Sequence, residues 1–263
     1  MTITIPQFVC SDLIADTEPA QEIPGCARST VVEKHGIRNE GFLDLSDVIA
    51  ILKPDRVSGP AAGLLSGISI DTRKPVGEDY LFWAIKGRHF NGNDFVEQAL
   101  AAGVKGAVVS RPELLDRPLP EGTTLILVPD TLVALQQLAA AYRRRFSCPV
   151  IGVTGSNGKT LVKEMLAAIL CLERNTYRSP LSYNTQVGAA LALLGMRSEH
   201  EVAIIEAGIS RPDEMEHLEK MIRPDHGVLT IISKAHIGGL GSLENSLEEK
   251  QKLFVNLGPE SFL

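Results

Sequence analysis

The sequence predicts an α/β protein built as two units: a small N-terminal α/β domain, then a second domain with a mostly parallel sheet. Three observations predict it. Strand-sized apolar runs alternate with segments of helical spacing from about Phe42 onward, the pattern of sheets covered by helices. A long helical stripe ends at Cys148-Pro149, which breaks the chain near residue 147. Immediately beyond, a strand runs into a glycine-rich turn and then a helix, and the strand–helix alternation repeats.

Taken in order, residues 1–41 mix prolines, acids and small residues without periodicity, and are expected to be a loosely ordered lead-in. Leu45, Val48, Ile49 and Leu52 share a helical face that Pro54, Gly59 and Pro60 bring to an end. Ile68–Asp71, Tyr80–Ile85, Ala107–Ser110 and Leu125–Val128 have strand character, and Phe95–Ala102 reads as a helix capped by Gly103. Residues 131–146 form a helix with Leu132, Leu135, Leu138, Ala139 and Tyr142 on one stripe, and the arginines at 143–145 suit its negative end. These elements make a first domain over 42–147, and a second occupies 148–263.

In the second domain Val150–Thr154 is a strand. The helix Leu161–Leu170 carries Leu161, Val162, Met165, Leu166, Ile169 and Leu170 on one side. Asn184–Met196 is a helix, Val202–Glu206 a strand, Pro212–Met221 a helix with Ser210 and Asp213 at capping-box spacing, and Gly227–Ile232 a strand.

Composition narrows the class. Of 263 residues, 44% are hydrophobic and 22% charged, which excludes wholesale disorder. No apolar run approaches the ~20 residues of a membrane span. With 26 Lys+Arg against 32 Asp+Glu the net charge is −6, which argues against a general nucleic-acid binder. The four cysteines, Cys10, Cys26, Cys148 and Cys171, are far apart with no CxxC. They suggest neither a zinc site nor a disulfide framework, and thiols in a reducing cytoplasm are the simpler expectation. The N-terminus lacks the basic start and apolar core of a secretory signal.

The strongest chemical signal is Gly152-Val153-Thr154-Gly155-Ser156-Asn157-Gly158-Lys159-Thr160 at a strand-to-helix junction. Glycines let backbone N–H groups face phosphate oxygens, and the helix start adds its dipole. Lys159 supplies a charge and Thr160 a hydroxyl for magnesium. The general pattern wants glycine where Val153 stands. Glu206 ends the strand VAIIE, at the sheet edge where ligands gather, and a carboxylate there is a natural magnesium ligand. His236 follows the strand GVLTII on the same edge, where a metal or phosphate role competes with a structural one. Lys250 lies in a charged helical stretch that reads as a solvated face, and Asn184 reads first as a helix N-cap. Asp71-Thr72-Arg73 and Lys86-Gly87-Arg88 end consecutive strands, as diphosphate contacts or as plain surface turns.

Together these residues resemble the Mur ligase family, the ATP-dependent amide-forming ligases of peptidoglycan synthesis. TGSNGKT (154–160) is similar to the family's ATP loop and accounts for Val153. RSPLSYNTQVG (178–188), IIEAGISRPDEMEHLEKMIRPDHGVLT (204–230) and AHIGGLGS (235–242) resemble the branch that adds D-alanyl-D-alanine. SYNTQVG is also like members fused to an alanine racemase, and SIDTRKP (69–75) with LFWAIKG (81–87) resembles the N-terminal UDP-binding domain.

The resemblance implies the cofactors ATP and Mg2+, with Gly155, Ser156, Asn157, Gly158, Lys159 and Thr160 around the nucleotide phosphates. It implies Thr160, Glu206 and His236 as magnesium ligands, and Lys250 as a lysine that becomes carbamylated. Asn184 would stand near the acceptor carboxylate, and Asp71, Thr72, Arg73 and Lys86 near the uridine diphosphate. The implied substrates are UDP-N-acetylmuramoyl-tripeptide and D-alanyl-D-alanine, joined through an acyl phosphate. It also implies that the ATPase domain is incomplete here, since the family continues well past Phe254. A truncated, non-catalytic binding homologue and a folate-type ligase are the alternatives. Two local departures are Asn91-Gly92-Asn93-Asp94-Phe95, where the family often has DGHDF, and Lys234, where it often has glutamate.

Overall fold

Short apolar runs bounded by glycine, proline and acidic residues form strands, and the longer 3.6-spaced runs form helices. The result is the α/β architecture expected from the sequence, in a computed structural model that describes residues 36–73, 77–233, 237–259 and 261. The chain begins with β1 (Gly36–Asp44), α1 (Leu45–Leu52), β2 (Arg56–Ser58), β3 (Leu64–Ser69) and β4 (Tyr80–Trp83). There follow α2 (Val96–Ala101), β5 (Gly106–Val109), β6 (Thr124–Leu127) and α3 (Thr131–Arg143). These strands form one sheet in the order β1-β3-β4-β5-β6-β2, parallel in its four central strands and antiparallel at both edges.

Both edge strands escape a reading of the sequence. Strand β2 is too short to show a period, and β1 (GIRNEGFLD) carries no clean alternation. Residues 36–41, expected in the lead-in, therefore belong to the sheet, whereas residues 1–35 lie outside those described. The central strands are covered on both faces, which is why they read as continuous apolar runs. Leu81 and Trp83 face α1 and α3, while Tyr80, Phe82 and Ala84 face α2. In the 91–95 turn Asn93 is buried, its amide bonded to Asn91 and Ser110, so this asparagine pins the turn to the end of β5.

The second half runs β7 (Val150–Thr154), α4 (Lys159–Leu170), β8 (Thr176–Arg178), α5 (Gln186–Leu194), β9 (Val202–Glu206), α6 (Glu214–Ile222) and β10 (His226–Leu229). Helices α7 (Ile237–Leu240) and α8 (Leu243–Gln251) follow. Its sheet is wholly parallel, β10-β7-β9-β8, so the carboxyl ends of β7, β8, β9 and β10 share one edge.

Three local expectations differ from the structure. On α4, Val162, Leu166 and Leu170 pack on the sheet, but Leu161, Met165 and Ile169 stand exposed at 65%, 56% and 62%. A helix lying on one sheet buries only a stripe of its surface. At α6 the expected capping box does not form: Asp213 is in the left-handed region and makes no side-chain cap, while Glu214 accepts from the N–H of Ser210 and of Arg211 ahead of the helix. Cys148 is a free, half-buried thiol, whereas Cys171, expected as a thiol, is disulfide-bonded.

Helix α3 binds the two sheets together. Asp130 caps its start, accepting from the N–H of Leu132 and Val133. Thr131 donates its hydroxyl to Ala84 O and receives the Trp83 indole N–H on its own carbonyl, fixing the helix to the first sheet. At the other end, buried Tyr142 donates to Met196 O (2.8 Å), just beyond α5, and Arg143 reaches Ile222 O and Asp225 near α6. One continuous core cluster accordingly contains residues of α1, α3, α5 and α6. Replacing Tyr142 by Phe strands the Met196 carbonyl without its donor. The expected loss is about 1–2 kcal/mol of unfolding free energy, read as a lower urea midpoint at unchanged slope.

Candidate functional site

The turn between β7 and α4 is shaped by glycine. Gly155 has φ +145°, and a Cβ there would lie 1.9 Å from Thr230 Oγ1, so no side chain fits. Gly158, at φ +81°, caps α4 with open space where a Cβ would be. The first turn of α4 carries no acidic residue and no side-chain cap, which leaves its N–H groups and positive dipole facing outward. Thr230 braces the turn by donating to Asn157 O.

Ser156 is turned inward. Its N–H donates to Ile231 O, and its hydroxyl donates to Ser233 O while accepting from the N–H of Ser233. Lys159 folds back over the turn and donates to Gly155 O (3.0 Å) and Ser156 O (3.3 Å).

Strand β9 lies beside β7, and the pairing of Val153 with Glu206 brings that glutamate next to the turn. Glu206 is fully buried. Thr160 Oγ1 donates to its Oε2 at 2.9 Å, and Asn184 Nδ2 donates to its Oε1 at 2.7 Å. Asn184 is therefore not the helix cap; Thr185 is, accepting from the Gly188 N–H. The backbone of Glu206 donates to Ser179 Oγ.

Lys163, one turn along α4 from Lys159 and fully buried, completes the surroundings of Glu206, with Nζ 3.9 Å from its Oε2. This lysine was missed in the sequence. The available signal was a cation set between the sheet-facing Val162 and Leu166.

Lys250, expected on a solvated face, is instead 2% exposed behind the turn, donating to Ser246 Oγ (2.6 Å) and Ser156 Oγ (3.2 Å). Helix α8 packs inward because Leu253, in the turn that follows it, joins the core. Burial pushes the pKa values of Lys159, Lys163 and Lys250 down. Nearby Glu206 partly opposes this at Lys159, Glu164 and Glu206 oppose it at Lys163, and the charge of Lys159 adds to it at Lys250.

The structure thus gathers Gly155, Ser156, Asn157, Gly158, Lys159, Thr160, Asn184, Glu206 and Lys250 at one sheet edge. His236 lies outside the described residues, and among the described residues no cluster of three or more His, Cys, Asp or Glu side chains could hold a metal. Thr160 and Glu206 nevertheless offer two hard oxygens side by side. That suits magnesium, which takes few protein ligands and completes its shell with phosphate and water.

The other expected group belongs to the first sheet. Asp71-Thr72-Arg73 and Lys86 follow the neighbouring parallel strands β3 and β4. Arg73 is engaged by Asp71 in a bidentate pair (2.5 and 3.0 Å), while the Lys86 side chain is exposed.

Comparison with known proteins identifies the family and the fold. A model described as the Mur ligase middle domain matches residues 153–263, and one described as the Mur ligase family catalytic domain matches residues 64–143. The UDP-N-acetylmuramoyl-tripeptide--D-alanyl-D-alanine ligase of Bacillus subtilis is 39% identical over 200 residues, covering 76% of this chain and 43% of that protein. The Escherichia coli protein of the same name is 37% identical, covering 75% and 42%. A crystal structure of MurF from Acinetobacter baumannii superposes with a TM-score of 0.73 at 28% identity, over 82% of this chain and 47% of that one. MurF ligase from Thermotoga maritima, in complex with ADP, gives 0.65 at 30% identity over 74% and 45%. The chain spans less than half the length of these relatives. Among the described residues no helix is long and apolar enough to cross a membrane.

The buried lysines set a pH dependence. A lysine whose folded pKa lies below its unfolded value leaves the unfolded chain holding more protons between the two, so stability rises with pH across that window and levels off above the ordinary lysine value of 10.5. Lys250→Met removes one such group. Its unfolding free energy should climb less steeply than that of the wild type as pH rises from neutral toward about pH 10, as followed by urea titration at each pH.

Proposed function

We propose, since the chain belongs to the Mur ligase family, that it forms part of a cytoplasmic ATP-dependent ligase. That ligase would join D-alanyl-D-alanine to UDP-N-acetylmuramoyl-tripeptide in peptidoglycan synthesis. The observation that carries this is the meeting of Thr160 and Asn184 on one buried carboxylate, Glu206, at the carboxyl ends of adjacent parallel strands. The names carried by the relatives supply the substrates. We divide the work at residue 147, with residues 42–147 holding the uridine end of the substrate and 148–263 the nucleotide.

In this reading Lys159 exchanges its bonds to Gly155 O and Ser156 O for phosphate oxygens, and the first N–H groups of α4 add donors beside it. Thr160 and Glu206 would hold magnesium, and His236 a second magnesium. The ion supplies charge neutralisation on the phosphates when bound. Asn184, already oriented on Glu206, presents its amide to the carboxylate that is to be activated. That carboxylate oxygen attacks the γ-phosphorus as the bond to the β-phosphate breaks, leaving an acyl phosphate and ADP. The amine of D-alanyl-D-alanine then attacks the acyl carbon, loses a proton, and expels inorganic phosphate. Positioning and charge carry both steps.

Lys250, whose pKa is lowered by burial and by Lys159, is the amine that carbamylation by carbon dioxide would convert. Asp71, Thr72, Arg73 and Lys86 take the uridine diphosphate, with Arg73 leaving Asp71 to meet it.

Calorimetry with the 263-residue chain tests the nucleotide half. ADP should bind more tightly with magnesium than without. Lys159→Ala should weaken binding by about tenfold or more, equivalent to at least ~1.4 kcal/mol. Nucleotide affinity indifferent to both changes would overturn the assignment. For the substrate half, UDP-N-acetylmuramoyl-tripeptide should bind and a folate should not, with Arg73→Ala weakening the former several-fold.

A further inference from the structure

We propose that Lys163 is a positioning residue that ties the phosphate-loop helix to the 179–184 segment, and so sets Asn184 and Glu206 for the cation and the acceptor. The proposal rests on the reading of Thr160 and Glu206 as a magnesium site.

The geometry is specific. An ammonium has three donors. Lys163 Nζ gives them to Ser179 O at 2.7 Å, to Leu181 O, and to the Glu164 carboxylate at 3.1 Å. Glu206 at 3.9 Å is a charge neighbour beyond them. Two of the three bonds therefore go to backbone carbonyls of one loop. The side chain is fully buried and its three donors are all taken within the protein, so it is not offered to a phosphate.

The loop needs such a tie. Leu181 sits at φ +46°, a left-handed conformation that costs a non-glycine residue about 1–3 kcal/mol. Its side chain is 47% exposed, so packing does not hold it there; the bond from Lys163 to its carbonyl does. The turns Tyr183 N–H to Pro180 O and Asn184 N–H to Ser182 O then carry the chain on to Asn184. From the other side β9 grips the same segment: Gly208 N–H donates to Asn184 O and Glu206 N–H to Ser179 Oγ. Glu206 and Asn184 thus meet in a clamp that α4 braces at two points, Thr160 on the Glu206 carboxylate and Lys163 on the carbonyls of Ser179 and Leu181. An apolar side chain of similar length would fill the volume more cheaply. What the lysine adds is the position of the loop.

The test is Lys163→Met in the 263-residue chain. Amide hydrogen exchange in peptides covering 179–185 should quicken by at least about tenfold, while peptides from β4–β6 keep their protection. In parallel, Mn2+ affinity in the presence of ADP should fall by about fivefold or more, with metal-free ADP affinity within about twofold of wild type. Unchanged exchange at 179–185 overturns the tie. Faster exchange with unaltered Mn2+ affinity overturns the positioning role and leaves Lys163 a structural brace. If the wild type itself binds no Mn2+ with ADP, the magnesium reading fails, and the exchange result still decides the tie. Should the variant not fold, amine acylation of the folded wild type decides it: Lys163 should react at least about a hundredfold more slowly than exposed Lys220, and equal rates overturn the burial on which the tie depends.

Discussion

A fully buried carboxylate organises this site. Glu206 has no contact with solvent, so its charge has to be met from within the protein. Thr160 from the start of α4 and Asn184 from the loop before α5 each occupy one of its oxygens, and Lys163 stands behind. These partners come from different connections, and each is held at the carboxyl end of the parallel sheet. The sheet order matters here: because β9 lies directly beside β7, the carboxylate reaches the phosphate loop without any long side chain spanning the gap. Had the chain returned to the far edge, Glu206 would face a different loop.

The same requirement explains the rigidity around the turn. Ser156, a small polar residue inside a glycine-rich loop, points inward and links Ser233 to Lys250. Thr154 and Thr230, at the ends of β7 and β10, turn their hydroxyls to Ala207 O and Asn157 O. Hydroxyls thus do the bracing, while the backbone N–H groups at the start of α4 stay free for an anion. At the opposite side of the parallel sheet, α3 performs the equivalent task for the domains. Its Thr131 end is fixed to the first sheet and its Tyr142–Arg143 end to α5 and α6.

Much of this was legible in the sequence because it rests on local rules. The phosphate loop needs glycine at fixed places, the buried parallel strands are continuous apolar runs, and α3 shows a full stripe. What was not legible depends on contacts distant along the chain. Strand β1 has no internal pattern; it exists because β3 offers an edge. Asn184 has the composition of a cap, yet Thr185 one residue later takes that role and leaves the amide for Glu206. Lys250 and Lys163 look solvated because lysine usually is, and only the fold reveals that each is enclosed. Of the stripe expected on α4, half is exposed, since one sheet face covers only part of a helix.

The charges left over point to the ligand class. Lys163 is met by Glu164 and Glu206, but Lys159 and Lys250 donate only to neutral oxygens: two carbonyls for one, two hydroxyls for the other. Lys159 and Lys250 concentrate basic groups beside a helix start in a chain of net charge −6, and the charge of Lys159 lowers the pKa of Lys250. Such a concentration is costly in a folded protein unless something anionic balances it. The nearest carboxylate, Glu206, is already committed to Thr160 and Asn184. An anion would balance that charge, and the glycine turn and helix N-terminus suit a phosphate chain lying along the loop.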